Sequence, residues 1–139
     1  MKDQNCFYCM DTDKRRELMT EITSLKLADL YLFRDQTYTG RCVLKFRDHK
    51  TDFSQLTDEE NLEFAKELRQ VAAALTKAFH PDKINYAVYG DLVPHLHIHI
   101  VPKYKGGPQW GGPFTDTGPK KYLSDAEYQE LIAKIRAAL

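Results

Sequence analysis

The sequence predicts an α+β domain, an antiparallel sheet with two helices packed on it. Three observations carry this. Two segments place apolar residues at helical spacing directly behind capping signals. Five β-rich segments stand around them in the order β-β-β-α-β-β-α. One of these, Val93-Pro94-His95-Leu96-His97-Ile98-His99-Ile100-Val101-Pro102, alternates strictly between two kinds of side chain, the period of a strand.

Taken in order, residues 21–25 and 28–33 are rich in β-formers and predict two adjacent strands. Residues 41–46 predict a third, after a turn at Thr39-Gly40. Thr57 and Glu60 form a capping box, and Leu68, Val71, Ala72, Leu75 and Phe79 follow at helical spacing until Pro81. This predicts a helix near 58–79. Residues 84–89 and 95–101 predict the fourth and fifth strands. Residues 105–121 hold five of the seven glycines and three of the six prolines, around the single Trp110. They predict a long loop that is functional or lies against something else, such as a lid or an intersubunit contact. Ser124 and Glu127 repeat the capping box, and Tyr128, Leu131, Ile132, Ile135 and Leu139 form the stripe of a terminal helix at about 125–139.

A length of 139 residues suits one domain, 1–139. Twenty basic and twenty acidic residues balance, so no global field recruits nucleic acid or an anionic membrane. The start Met1-Lys2-Asp3-Gln4-Asn5 has no apolar core of a signal peptide, and no apolar run nears the ~20 residues needed to span a bilayer. The expectation is a cytoplasmic protein whose partner is a small molecule held in a local pocket.

The alternating segment is the most informative. On a strand, Leu96, Ile98 and Ile100 face the core while His95, His97 and His99 share the other face. Such a row has several readings: incidental histidines, one metal held by all three, a two-histidine site that activates water, or nucleophilic catalysis by one imidazole. Alternate residues lie about 6.8 Å apart along a strand, which makes a single ion awkward for the outer pair. Neutral imidazole is a good nucleophile near neutral pH and can attack phosphorus to give a phosphoramidate. A neighbouring imidazole can donate hydrogen bonds to the phosphoryl oxygens.

Cys6-Phe7-Tyr8-Cys9 suggests metal or redox chemistry. No βαβ pattern follows it, so a thioredoxin-like reading is weak. Cys42 lies inside an apolar strand and is expected in the core. His80 is expected to cap its helix ahead of Pro81, and Lys14-Arg15-Arg16 is expected to be a solvated run.

His95-Leu96-His97-Ile98-His99-Ile100-Val101 resembles the signature of the histidine triad hydrolases and transferases, His-x-His-x-His-x-x with apolar x. The similarity extends to Asn85, to Gly90 and to the stretch from Gly40 to His49. The resemblance implies a five-stranded antiparallel sheet with two helices, and a homodimer that joins two sheets. It implies that His97 is the nucleophile, that His99 contacts the α-phosphate and that His95 supports the row. Phe33-Arg34-Asp35 is similar to an aromatic-x-Asp that holds the ribose, and Asn85 to a residue that contacts phosphate or leaving group. Arg41 departs from the histidine that many members carry there; it cannot relay a proton but can bind phosphate. Asp91-Leu92-Val93-Pro94 departs too, which makes Asp91 the candidate donor to the leaving group. The zinc-bearing branch pairs a Cys-x-x-Cys with two histidines, which by resemblance assigns a structural zinc to Cys6, Cys9, His49 and His95 in an N-terminal knuckle of about 1–16. The implied activity is cleavage at the α-phosphate of nucleoside phosphoramidates or dinucleoside polyphosphates. The alternative is a non-catalytic, nucleotide-binding regulatory dimer on the same fold.

Overall fold

The computed structural model describes residues 1–139. Strands β1 (Met19–Ser24), β2 (Ala28–Phe33), β3 (Cys42–Phe46), β4 (Lys83–Ala87) and β5 (His97–Lys103) form one sheet. Its order is β1-β2-β3-β5-β4, and every neighbouring pair is antiparallel. Helices α1 (Asp13–Leu18), α2 (Asp58–Phe79) and α3 (Asp125–Ala138) complete the fold. The two capping boxes are formed: Thr57 with Glu60 opens α2, and Ser124 with Glu127 opens α3. His80 ends α2 in the left-handed conformation (φ 49°, ψ 49°), its amide on the Thr76 carbonyl. No helix is long and apolar enough to cross a membrane.

The period of two divides the sheet into two unlike faces. Ile22, Leu30, Leu32, Cys42, Leu44, Ile98 and Ile100 pack against Phe64, Val71 and Leu75 of α2 and Tyr128, Ile132 and Ile135 of α3. Cys42 is fully buried in this core, as expected of an unliganded thiol there. The other face has no long helix. The N-terminal segment covers one end, with Cys6, Tyr8 and Cys9 against Met19, Tyr31, Phe33 and Val43. The segment after β5 covers the other, bringing Phe114 onto Tyr38 and Val101. His97 and His99 lie between the two covers.

The strand ends differ from the expected ones for local reasons. β5 begins at His97 rather than 95: the His95 amide bonds back to the Val93 carbonyl at 2.8 Å, a turn set by Pro94. It runs on to Lys103 because Pro102 sits past Cys42, the last residue of β3 that pairs with it, so the missing N–H leaves no gap in that ladder. β4 runs 83–87 instead of 84–89, and β1 runs 19–24 with an irregularity between Glu21 and Thr23. Helix α1, one and a half turns long, escaped the sequence reading. It also overturns the solvated reading of Lys14-Arg15-Arg16 in part. Arg15 is buried, with Nη1 donating to the Tyr8 carbonyl at 3.1 Å and Nη2 to Asp11 at 3.1 Å.

Candidate active site

The turn before β5 places His95 at the meeting point of the N-terminal segment and the loop after β3. Its Nε2 donates to the Phe46 carbonyl at 2.7 Å, because a carbonyl can only accept. That leaves the Nδ1 lone pair facing Cys6 Sγ at 3.4 Å, Cys9 Sγ at 3.5 Å and His49 Nδ1 at 3.3 Å. His49 Nδ1 is 3.3 Å from Cys9 Sγ. A tetrahedral zinc with Zn–S of ~2.3 Å and Zn–N of ~2.05 Å requires donor–donor edges of roughly 3.3 to 3.8 Å. Four of the six donor–donor edges therefore already have the length such an ion needs, and all four donors lie within 4.8 Å of one another. Outer partners fit as well: Phe46 holds His95, and Asp3 Oδ2 lies 3.8 Å from His49 Nε2. Burial, only partly opposed by the Phe46 hydrogen bond, pushes His95 down to about 4, which keeps it in the neutral form a metal takes.

His97 is 4% exposed. Its Nδ1 donates to the His95 carbonyl at 2.5 Å, which fixes the tautomer and leaves Nε2 with a free lone pair. The only enclosed side-chain N or O atoms lacking a partner are Arg41 Nε and Glu67 Oε2. His97 Nε2, which has no hydrogen bond, therefore reaches open space. Tyr8 lies on the His97 ring, centroids 4.3 Å apart at 31°. Burial lowers the basicity of His97, against the opposing pull of the His95 carbonyl. Burial also raises the Tyr8 hydroxyl, so it stays a neutral phenol. A cleft of about 360 Å³ opens here, lined by Tyr8, Tyr89, Gly90, Asp91, Leu92, Val93 and His97.

His99 follows at 5.2 Å from His97, ring to ring, among Phe33, Tyr89 and Phe114. Arg41, immediately before β3, is 1% exposed and approaches His99 Nδ1 with Nη2 at 3.2 Å. Its guanidinium stacks on Phe33 at 4.0 Å and lies 5.0 Å from Phe114. Asp116 grips its two terminal nitrogens at 2.5 and 3.4 Å. Burial, then the Arg41 charge, pushes His99 down to about 3.

The remaining predicted residues do not converge on one cavity. Asp35, 8% exposed, accepts from the Thr37 amide and hydroxyl and from the Lys121 amide at 2.7 to 3.2 Å. It lines a cleft of about 300 Å³ with Tyr38, Asp116 and Lys120. Asn85 lines a third cleft, about 460 Å³, with Lys83, Lys103 and Trp110. Asp91 is exposed beside His97. Reading the sequence missed Tyr8, Asp116 and Lys45. Lys45, 5% exposed, pairs with His97 across the sheet and bonds Asp29 at 3.0 Å and the Tyr8 carbonyl at 3.4 Å. A signal existed for it, since Arg41 and Lys45 are cations four residues apart, on one face of an otherwise apolar segment.

A family model described as the HIT domain matches residues 16–106. An uncharacterised HIT-like protein of Mycoplasma genitalium is 38% identical over 78 residues, covering 52% of this chain and 55% of its own. The bis(5'-adenosyl)-triphosphatase of Saccharomyces cerevisiae is 32% identical over 68 residues, 45% of this chain and 33% of the yeast protein. The chain thus spans about half the length of the first relative and a third of the second. Among solved structures, a histidine triad protein from Sinorhizobium meliloti superimposes with a TM-score of 0.85 at 25% identity, covering 94% of this chain and 96% of that one. A zinc-bound histidine triad family protein from Mycobacterium smegmatis shares the fold at a TM-score of 0.59 and 19% identity, over 85% and 81% of the two chains. With the three histidines at the start of β5 and the turn before it, and the domain matched over 16–106, the chain belongs to the histidine triad (HIT) family.

Proposed function

We propose that this protein hydrolyses or transfers nucleoside monophosphate groups, cleaving phosphoramidates or dinucleoside polyphosphates at the α-phosphorus through a covalent intermediate on His97. The observation that carries this reading is the tautomer of His97. With Nδ1–H on the His95 carbonyl at 2.5 Å, Nε2 is a lone-pair donor at the cleft. In the first step that lone pair forms a P–N bond while the bond from phosphorus to the leaving group breaks, the leaving group departing with the electron pair and taking up a proton. In the second, a water oxygen, or another acceptor hydroxyl, forms a bond to phosphorus as the P–N bond breaks, and its proton is released. His99 donates to a phosphoryl oxygen, with the Arg41 guanidinium behind its ring. Asp35 is proposed for the ribose and Asn85 for the leaving-group side. Asp91, at the cleft mouth, is the candidate source of the leaving group's proton.

Cys6, Cys9, His49 and His95 are proposed to hold a structural zinc, which when bound would cross-link the N-terminal segment to the start of the catalytic strand. A homodimer is proposed through the edge of β4, where Tyr86 and Tyr89 are exposed and no strand follows.

The test is mass spectrometry of the quenched protein with labelled nucleoside phosphoramidates and dinucleoside polyphosphates. Wild type should gain the mass of a nucleoside monophosphoryl group, and His97→Ala should gain nothing and lose turnover. Full activity in His97→Ala would end the proposal. The second reading, nucleotide binding without chemistry, is favoured by the Tyr8 ring that leaves His97 only 4% exposed. Tight binding with neither adduct nor product across the panel would select it.

A further inference from the structure

Resting on the covalent reading above, we infer that Arg41 and Asp116 are positioning residues for His99: together they fix it as the Nε2–H tautomer, a hydrogen-bond donor set beside a nucleophile held in the opposite form. The argument begins with donor chemistry. A guanidinium carries only N–H donors and keeps its charge in proteins. The 3.2 Å contact between Arg41 Nη2 and His99 Nδ1 is therefore a bond that the imidazole accepts. The Nδ1 lone pair is spent, so the ring proton sits on Nε2. His97 is the reverse, with its proton on Nδ1 and its lone pair on Nε2. Two rings 5.2 Å apart thus present one lone pair and one N–H through chemically identical nitrogens. A row of three histidines does not by itself make that distinction.

What holds Arg41 in place is the loop. Its plane is clamped by Phe33 at 4.0 Å and Phe114 at 5.0 Å. Asp116 engages both terminal nitrogens, at 2.5 and 3.4 Å, and neutralises a charge that is 99% withdrawn from solvent. Phe114 and Asp116 both come from the Gly/Pro-rich segment after β5. Both Nη2 N–H groups are engaged, one on His99 and one on Asp116, an Nη1 N–H is on Asp116, Nε is enclosed and unpartnered, and the side chain is 1% exposed. So buried and so engaged, Arg41 is placed to act through His99. The low basicity of His99, set by burial and then by Arg41, agrees with a ring kept neutral.

The test reads the ring directly. Nitrogen-15 NMR of the histidine side chains in the full-length protein should show His99 with an unprotonated Nδ1 and a protonated Nε2. Arg41→Met removes the donor, and Asp116→Asn keeps the fold of the sheet while unclamping Arg41. Both should shift the His99 signals toward a tautomer mixture. Both should slow formation of the His97 adduct from an adenosine phosphoramidate by roughly tenfold to hundredfold, the effect of a misaligned donor, with KM nearly unchanged. A wild-type His99 protonated on Nδ1, or unchanged His99 signals in both variants, would overturn the inference. If wild type forms no adduct with any nucleotide while the His99 signals respond as stated, the covalent reading fails and the positioning role stands.

Discussion

Removing the proposed zinc from the cluster of Cys6, Cys9, His49 and His95 should unfasten the N-terminal segment, and the size of the effect can be worked out. Four of the six donor–donor distances, 3.3 to 3.5 Å, already match a tetrahedral ion, so little of the binding is spent on rearranging the folded chain. A ligand that binds only the folded state at about a thousand times its Kd adds about 4 kcal/mol. For a chain of this length each kcal/mol moves Tm by about 3 °C, so the shift should be about 12 °C. The assay is thermal unfolding of protein treated with a strong chelator, with and without added zinc, beside Cys9→Ala. Cys9 touches both histidines of the cluster, so its loss should abolish the response to zinc. Hydrogen exchange should localise the change to residues 3–12 and to His97, whose ring Tyr8 covers. A Tm indifferent to both chelator and zinc, or a full response in Cys9→Ala, would refute the reasoning.

Three further outcomes are expected. Tyr128 is 1% exposed, donates to the Arg34 carbonyl at 2.6 Å and accepts from the Leu123 amide at 3.1 Å; Tyr128→Phe leaves both groups unpaired and should cost about 2 kcal/mol in urea unfolding, while a loss under ~0.5 kcal/mol would contradict it. For Asp29, burial opposes the charge, but Lys45 at 3.0 Å, the Ser24 hydroxyl at 2.8 Å and Arg47 at 3.2 Å hold its carboxyl below the ordinary value. A depressed folded value means this stabilisation is complete above the unfolded value of about 3.9 and is lost as pH falls through the folded one. Asp29→Asn should therefore be destabilised at pH 7, by about 3 kcal/mol since Lys45 is left buried and unpaired, and should lose less than wild type between pH 5 and 2; parallel acid curves would count against it. Gly40 has φ +91° and a Cβ there would meet the Phe79 ring at 2.7 Å, so Gly40→Ala should cost about 2 to 4 kcal/mol, and a near-neutral substitution would show that Phe79 moves aside freely.

What could be read in the sequence follows from how local each feature is. The capping boxes, the stripes of α2 and α3 and the alternation of Leu96, Ile98 and Ile100 are each set within a few residues, and each predicts its element. The first residue of β5 is not local in that sense: it depends on the turn after Pro94 and on Leu96, whose amide bonds the Lys50 carbonyl at 2.7 Å. The candidate metal ligands could be named only through resemblance, because Cys6 and His95 are 89 positions apart and no spacing rule joins them. Tyr8 and Asp116 were hidden for a related reason. Each lies in an irregular segment laid over the sheet, where periodicity says nothing about direction. Arg41 and Lys45 were legible as oddities, cations on a buried strand, but their partners Asp116 and Asp29 come from elsewhere in the chain.

His95 ties the Cys/His cluster to His97, the proposed nucleophile. Its side chain is held at both ring nitrogens, Nε2 on the Phe46 carbonyl and Nδ1 toward the two thiols and His49. Its own carbonyl accepts the Nδ1 proton of His97. The atom that selects the tautomer of His97 is therefore backbone, and its position is set by a side chain locked into the cluster. At His99, the next alternate residue, the selection is made by a side chain instead, Arg41, which stands just before the neighbouring strand β3 and is tied to the loop by Asp116. A period-two strand delivers three imidazoles to one face without distinguishing them. The two irregular segments that cover that face supply the difference, one through His95 and one through Arg41. This is a physical reason for this face to be covered by loops rather than by a third long helix, whose own backbone polar groups would be paired internally.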